Sequence, residues 1–331
     1  MYKLIVGADI ASKTIQLHWQ QLETGETGDR EIKQNQSSYQ TIIERLKKLA
    51  QVDQIHVVME ATGNYWLRFA LASHEAGLAV SVVNPRQSYY FAKYRLRQTK
   101  TDKVDARLLC QMAQMDCLEL WTPPPAIYQQ LQQRVSLRQD LQDTRTQYKN
   151  RLHALQQDPN ALPEIIAWHK TFISNLEAQV KQLTKELEDL LNADHEWHDA
   201  AQRLLTITSI STISATWILV ATHAFARCET PEQLASFAGL VPHERSSGQQ
   251  QGKRPVGGGH HRLRSIMYMV AGNAIQKNKA IQPFYERLIR RGKIKNVARV
   301  AVARKLLHIA WACVVKARDF DPNYGQQPQV A

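Results

Sequence analysis

The chain has 331 residues, with 42 Lys and Arg against 30 Asp and Glu (net charge +12) and four cysteines without a CxxC pair. Its length predicts two or three domains with a sizeable core and excludes a collagen-like fibre or a wholly disordered chain, while its cysteines argue against a disulfide framework and a structural zinc site. No apolar run approaches the roughly 20 residues that cross a bilayer, and the N-terminus has no signal-peptide cleavage site, so we expect a cytoplasmic protein with no membrane partner.

The first zone, residues 1–122, alternates between strand and helix patterns. Its segments are strands at 4–10, 15–22 and about 30–34, a helix capped by Ser37-Ser38, a strand at 55–59, a helix at 65–76, a strand at 80–83 and a helical region opened by Asn84-Pro85. Hairpin connections followed by helical crossovers predict an α/β domain with a mixed five-stranded sheet. This strand order is that of the ribonuclease H-like fold.

Four acids in the first zone stand out by their positions. Asp9 lies in an apolar strand, where a charge is costly unless it is paired or bound to a metal. Glu60 ends the fourth strand, while Asp102 and Asp105 share one helix face. In a ribonuclease H-like sheet these carboxylates would converge on Mg²⁺ or Mn²⁺, ions that prefer oxygen ligands and support phosphoryl transfer. Taken singly, Asp102 and Asp105 could instead stabilise a helix N-terminus, and Glu60 could be a surface residue.

The second zone, residues 123–200, is rich in Gln and predicted to be helical. Apolar residues recur there at alternating spacings of three and four, which predicts a coiled-coil segment of about three heptads. These residues are Ile173, Leu176, Val180, Leu183, Leu187 and Leu190. We interpret the zone as a linker and oligomerisation segment whose helices fold back as an antiparallel hairpin or pair with another subunit. A plain helical spacer is the alternative.

The third zone, residues 201–322, is predicted to be mainly α-helical, with a Gly/Gln-rich loop at 246–261 and a disordered tail at 323–331. Residues 243–318 contain 17 Lys and Arg but two acids, a net charge of +15, whereas the rest of the chain carries −3. Such a basic segment is typical of a nucleic-acid-binding face, with a solvated surface as the alternative. The candidate phosphate contacts are Arg245, Lys253, Arg254, Arg262, Arg264, Arg290, Arg291, Lys293 and Lys295.

Ser246 and Ser247 are the candidate nucleophiles of the third zone. They precede Gly248 and lie among cationic residues, which would stabilise the charge that develops when a hydroxyl attacks phosphorus. On these residues alone, an ordinary loop remains the alternative.

Six segments together resemble the DEDD-type transposases of insertion sequences. They are GADIASK, VVMEATGNYW, VVNPRQSYYFAK, KTDKVDARLL, ASFAGLVPHERSSG and LRSIMYM, and the resemblance covers about residues 3–317. It implies an N-terminal RuvC-like domain, in which the four acids bind Mg²⁺, and a C-terminal transposase domain. It also implies that Ser247, with Ser246 as the alternative, attacks DNA and forms a covalent phosphoserine link.

The same resemblance implies the partners of the protein. These are donor and target DNA, a structured guide RNA (the bridge RNA) that pairs with both, and further copies of the chain in a dimer or tetramer. In such an assembly the acids of one subunit lie near the serine of another.

At one turn the chain departs from the family. Relatives carry a Pro-Gly-Ile-Gly turn that resembles a DNA contact, whereas residues 208–212 read TSIST here. Because close approach of a backbone to phosphate favours glycine, we predict a structural role for this turn.

Three other functions are compatible with parts of the pattern. A metal-dependent, Holliday-junction-resolvase-like nuclease would use the acids without serine chemistry. An actin-like ATPase would need a Gly-rich phosphate hairpin after Asp9, which the sequence lacks. A non-catalytic nucleic-acid-binding protein would need no metal.

Overall fold

The run Pro123–Pro125 cannot continue a helix or a central strand, and the chain divides there into two units, Met1–Pro123 and Pro124–Ala331. The computed structural model describes residues 2–95, 102–115, 117–226, 228–242, 246–247, 250–251 and 256–323, with the backbone alone at 102–103, 246–247 and 250–251. The predicted tail, 323–331, lies outside these residues except for Asn323. The further division of the second unit at residue 200 stays a prediction.

The first unit contains a sheet of five described strands. They are β1 (Leu4–Ile10), β2 (Thr14–Gln21), β3 (Thr27–Lys33), β4 (Ile55–Glu60) and β5 (Ala79–Val83). Their order is β3-β2-β1-β4-β5, with antiparallel pairing of β1 with β2 and β2 with β3, and parallel pairing of β1 with β4 and β4 with β5. The predicted mixed sheet, with the first and fourth strands adjacent, is confirmed.

Helices cover both faces of this sheet. They are α1 (Gln36–Lys47), α2 (Leu67–Glu75), α3 (Pro85–Tyr94) and α4 (Asp102–Met115). Alternate residues of β1, such as Val6 and Ala8, share one core with Tyr39 of α1 and Phe69 of α2. On the opposite face, Val58 and Val83 pack against Leu109 and Met112 of α4 and Phe91 of α3.

Two helix starts illustrate how local sequence sets the boundaries. The cap of α1 is Asn35 rather than the predicted serines, because its side chain accepts the backbone N–H of Ser38. Asn84 caps α3, as the sequence predicted, in a capping box with Gln87.

The second unit contains eight described helices. They are α5 (Ala126–Leu155), α6 (Pro163–Ala193), α7 (His195–Leu205), α8 (Thr212–Thr222), α9 (Pro231–Phe237), α10 (His261–Lys277), α11 (Gln282–Arg290) and α12 (Lys295–Val315). A continuous core joins α5, α6, α7, α8, α9, α10 and α12. No helix in the described part of the chain has the length and apolar character needed to cross a membrane.

The helices α5 and α6 form an antiparallel hairpin within the chain. Arg134 Nε lies 3.0 Å from Glu186 Oε2 near one end, and Lys149 Nζ lies 2.7 Å from Glu177 Oε1 nearer the other. Five of the apolar residues of α6 are buried: Ile173, Leu176, Val180, Leu187 and Leu191. The fold-back alternative is therefore observed, while a coiled coil with another subunit stays a prediction.

Two short strands interrupt the region predicted as a Gly/Gln-rich loop. They are β6 (Ser246–Ser247) and β7 (Gln250–Gln251), which pair antiparallel, and Pro242 bridges Val256 further along the same two arms. Backbone hydrogen bonds between the arms make this segment a β-hairpin although its residues have low strand propensity.

Candidate active site

Asp9 and Glu60 lie at the same edge of the sheet. Because β1 and β4 are parallel and Ala8 pairs with Met59, the next residue of each strand is an acid. Side chains alternate between faces along a strand, so Asp9 points to the same face as Gly7, and Glu60 to the same face as Val58. This is the face that α4 covers, and both acids are half-buried there.

Helix α4 lies directly on β1 at Gly7. A Cβ atom at this position would overlap the carbonyl oxygen of Ala106 and lie 2.7 Å from the amide nitrogen of Cys110. Glycine is therefore required at position 7 for helix and strand to approach this closely. Ala106 follows Asp105 directly, so the contact also brings that acid near β1.

The contacts of α4 fix its direction along the strand. Cys110 Sγ donates to the carbonyl of Ile5 at 3.5 Å, and Gln114 Nε2 donates to Gln20 Oε1 at 2.9 Å, where Gln20 pairs with Ile5. Later residues of α4 thus lie beside earlier residues of β1, and the helix runs opposite to the strand. Its N-terminal end, with Asp102 and Asp105, therefore faces the edge that holds Asp9 and Glu60.

An ion pair connects α4 to β3, the strand at one edge of the sheet. Arg107 Nη2 lies 2.7 Å from Asp29 Oδ2 on β3, and His18 Nδ1 lies 2.9 Å from Asp29 Oδ1. The hydrogen bond from Arg107, with a further one from His18, lowers the pKa of Asp29 below its usual value. Sequence reasoning selected the acids of the KTDKVDARLL segment and missed this anchoring arginine, because its partner lies 78 residues away.

Two hydroxyl groups hold the carboxylate of Glu60. Ser88 Oγ of α3 donates to Oε2 at 2.5 Å, and Thr62 Oγ1 donates to Oε1 at 2.8 Å. Ser88 is buried, whereas Thr62 is exposed. The sequence did contain a signal for Ser88. Asn84-Pro85 predicts the start of α3, and a helix that starts there places its fourth residue, Ser88, beside the end of β4.

The donor chemistry of this edge suits a divalent ion. Asp9, Glu60 and Asp105 offer carboxylate oxygens, the ligands that Mg²⁺ and Mn²⁺ prefer. The side chain of Asp102 lies outside the description, and among the side chains described no group of three or more His, Cys, Asp or Glu is close enough to hold a metal ion. The residues therefore fit the ion by donor type, and the convergence of all four on one ion stays a prediction.

Ser246 and Ser247 lie on the first strand of the β6–β7 hairpin. Ser247 pairs with Gln250, and Ser246 pairs with Gln251. Both serines thus lie on the strand that pairs with Gln250–Gln251.

Glycines fix the base of this hairpin. A Cβ at Gly259 would overlap the carbonyl oxygen of Phe237 and lie 2.7 Å from the amide nitrogen of Gly239. His260 N also donates to the Phe237 carbonyl at 2.7 Å. Gly259 thus lets two backbone segments approach each other closely.

The predicted phosphate contacts divide into three groups. Arg290, Arg291, Lys293 and Lys295 are exposed at the turn between α11 and α12. Arg262 lies over the Trp217 ring at 5.3 Å, and Arg264 donates to the carbonyl of Gly258, so both have contacts within the unit. Arg245, Lys253 and Arg254 lie outside the described residues.

The TSIST turn joins α7 to α8. Ser209 adopts φ 95°, a conformation that favours glycine, and Ser211 caps α8 by accepting from the amide of Ser214. The buried Asn278 donates to the carbonyl of Thr208 at 3.2 Å. Ser209 thus adopts a backbone conformation that favours glycine, and the hydrogen bond from Asn278 anchors the turn to the interior of the unit.

Comparison with known proteins gives consistent matches along the chain. Residues 6–158 match the family model for DEDD transposases of the IS110 type, described as "Transposase", and residues 201–286 match "Transposase IS116/IS110/IS902 family". A pilin gene-inverting protein of Moraxella bovis is 30% identical over 81% of this chain and 82% of its own. A probable family 20 transposase of Pseudomonas aeruginosa is 24% identical over 96% of this chain and 98% of its own.

Among solved structures, a Ppx/GppA family member from Aquifex aeolicus aligns with 96% of this chain and 91% of its own at 13% identity. Its TM-score of 0.21 is too low to indicate a shared fold.

Proposed function

This chain belongs to the IS110-type family of insertion-sequence transposases and is a DNA transposase or recombinase, and from that premise we propose that it uses acids of its first unit and a serine of its second. The observation that carries the proposal is the shared sheet edge, where Asp9 and Glu60 end neighbouring parallel strands and α4 begins. DNA is the substrate that the family implies.

The acids Asp9, Glu60, Asp102 and Asp105 are proposed to hold Mg²⁺, with Mn²⁺ as an alternative. An ion bound there would activate an attacking oxygen and stabilise a leaving oxygen at phosphorus. The protein's part is positioning: Ser88 and Thr62 orient the carboxylate of Glu60, and Arg107 holds α4 across the sheet. In this interpretation the first unit is a RuvC-like, ribonuclease H-like domain.

Ser247 is proposed as the nucleophile, with Ser246 as the alternative. Attack by its Oγ on a DNA phosphodiester forms a serine–phosphate bond and breaks the bond to one DNA oxygen. The serine loses its proton and the departing DNA hydroxyl gains one, and attack by another DNA hydroxyl then releases the serine. Its place on a paired strand within the segment that carries the excess positive charge supports this assignment.

The basic segment is proposed to bind nucleic acid, both DNA and a structured guide RNA. Its net charge of +15 supports polyphosphate binding in general. The assembly is proposed to be a homo-oligomer in which the acids of one subunit act beside the serine of another.

Two matched pairs of substitutions test the chemistry. Asp9→Asn should abolish strand cleavage in the presence of Mg²⁺, whereas Asp53→Asn, which changes an exposed acid of the same unit, should not. Ser247→Ala should abolish the covalent protein–DNA link and joining, whereas Ser246→Ala should retain both. The reverse result would assign Ser246, and full cleavage without any covalent link in the unmodified protein would instead support the nuclease.

The guide RNA is tested by purification and reconstitution. We expect the protein to co-purify with RNA from its own element and to recombine DNA when that RNA is supplied. Recombination at full rate after ribonuclease treatment would contradict the proposed guide.

A further inference from the structure

The outward face of α3 carries three tyrosines and two cations. They recur at the spacing of a single helix face: Arg86, Tyr89, Tyr90, Lys93 and Tyr94. The tyrosines are 54%, 60% and 70% exposed in chain order. Aromatic side chains usually contribute large buried areas, so three adjacent exposed rings on one face call for a binding partner.

The orientation of α3 is fixed by its opposite face. Ser88 is buried and donates to Glu60, and Phe91 packs against the core that contains Val58 and Leu109. The tyrosines therefore lie on the solvent-exposed face of α3, and a different face of the helix packs on the sheet. Tyr89 directly follows Ser88, so the rings are carried by the same helix that contacts the Glu60 carboxylate.

The rings and charges of this face are already arranged. The centroids of Tyr89 and Tyr90 are 5.4 Å apart at an interplanar angle of 69°, and Lys93 Nζ lies 4.7 Å from the centroid of Tyr89. Between Glu75 and Asp102 the sequence contains five Lys and Arg and no acid. Rings with cations and without acids suit a ligand that has both flat apolar surfaces and negative charge.

We propose that the α3 tyrosine face binds unpaired DNA nucleotides next to the phosphodiester that is cleaved. Bases stack on aromatic rings when their faces are free of a duplex, while Arg86 and Lys93 attract the backbone phosphates. The proposal rests on the proposed function, in which Glu60 and the other acids act on DNA. The nucleotides bound by α3 would then belong to the strand that is cleaved. A duplex hides its base faces and would gain little from the rings.

Binding measured without cleavage tests the proposal. The full-length protein in EDTA is mixed with a 12-nucleotide single strand that contains 2-aminopurine, and both anisotropy and quenching by stacking are recorded. Tyr90→Ala and Tyr94→Ala should each weaken binding about 5- to 150-fold and reduce quenching, since each stacked base contributes about 1–3 kcal/mol. Tyr90→Phe keeps the ring and should bind like the unmodified protein, as should Trp168→Ala, which removes a 71% exposed ring on α6.

Four results would overturn the proposal. They are unchanged single-strand binding in the tyrosine variants, an equal loss of duplex binding, a selective loss of RNA binding, and a change of oligomeric state that shows the face to contact a second copy. Asp9→Asn separates this proposal from the proposed function: it should abolish cleavage and leave single-strand binding in EDTA intact.

Discussion

Ser88 is the residue that connects the candidate carboxylate site to the helix behind it. Its Oγ lies 2.5 Å from Oε2 of Glu60 and 3.0 Å from the carbonyl oxygen of Pro85, so its single hydroxyl proton is shared between these two acceptors. We predict that Ser88→Ala lowers strand cleavage about tenfold, because a hydrogen bond to a charged group contributes about 1.5–3 kcal/mol and the carboxylate would lose its orientation. Cleavage rates measured over a series of Mg²⁺ concentrations check this.

The control for Ser88 is another buried serine in the same unit. Ser73 Oγ on α2 is buried without a hydrogen-bond partner. Ser73→Ala should therefore retain cleavage and stability, since it removes a hydroxyl that gains nothing from its surroundings. Equal cleavage by the two variants would show that Ser88 does not position Glu60.

His56 is a second residue with a testable consequence. Its Nε2 lies 2.8 Å from Ser81 Oγ, and because Ser81 itself donates to the carbonyl of Glu119, the imidazole donates to the serine. Burial lowers the pKa of His56 to about 4 from its usual 6.5. The folded protein thus binds fewer protons than the unfolded chain between these values, and stability is lost as the pH falls below 6.5.

We predict that protonation of unfolded His56 costs about 3 kcal/mol of the free energy of unfolding at pH 4 relative to pH 7.5. His56→Gln cannot titrate and should show a correspondingly flatter pH dependence in urea unfolding monitored by fluorescence. Parallel curves for the two proteins would contradict the assignment.

Some of these residue roles could be predicted from sequence, and others could not. Asp9 and Glu60 were identified because an acid in an apolar strand, or directly after one, conflicts with its surroundings. Ser88 and Arg107 act through partners far along the chain, and neither conflicts with its local pattern. Their roles follow from the packing of α3 and α4 on the sheet.

At the scale of elements, periodic patterns were predicted well. The five strands were predicted because apolar residues alternate or form short runs along them, although β3 begins at Thr27, before the predicted start near residue 30. The β6–β7 hairpin was missed because SSGQQ has neither alternation nor β-branched residues. Its pairing depends on backbone hydrogen bonds and on the contact between Gly239 and Gly259.

That glycine contact leads to a prediction with a closely matched control. Gly259→Ala would force a Cβ into the Phe237 carbonyl at φ 58°, so we expect a loss of about 1–3 kcal/mol in the free energy of unfolding and reduced DNA joining. At Gly257 an added Cβ meets no atom within 4 Å, and Gly257→Ala should stay within about 0.5 kcal/mol of the unmodified protein. Thermal unfolding and a joining assay on both variants measure this. Equal effects would show that the hairpin base does not depend on close backbone approach.

At the scale of the whole molecule, the regions of the chain differ in the charges they expose. The α5–α6 hairpin pairs its charges, as in Arg134–Glu186 and Lys149–Glu177, and so presents both signs. The α11–α12 turn instead exposes the four cations Arg290, Arg291, Lys293 and Lys295. Phosphate contacts of this kind hold DNA in place and do not read its sequence.

The salt dependence of DNA binding tests which cations contact phosphate. Each phosphate neutralised contributes about 0.9 to the slope of log K against log salt, so Arg290→Gln and Lys293→Gln should each lower the slope by about 1 and weaken binding equally for unrelated DNA sequences. Lys185→Gln on α6 removes an exposed cation from the mixed-charge hairpin and should leave the slope unchanged. Anisotropy titrations of a duplex between about 50 and 200 mM salt span the range in which these slopes separate. A slope lowered equally by all three substitutions would mean that DNA responds to the net charge of the protein and not to the α11–α12 turn.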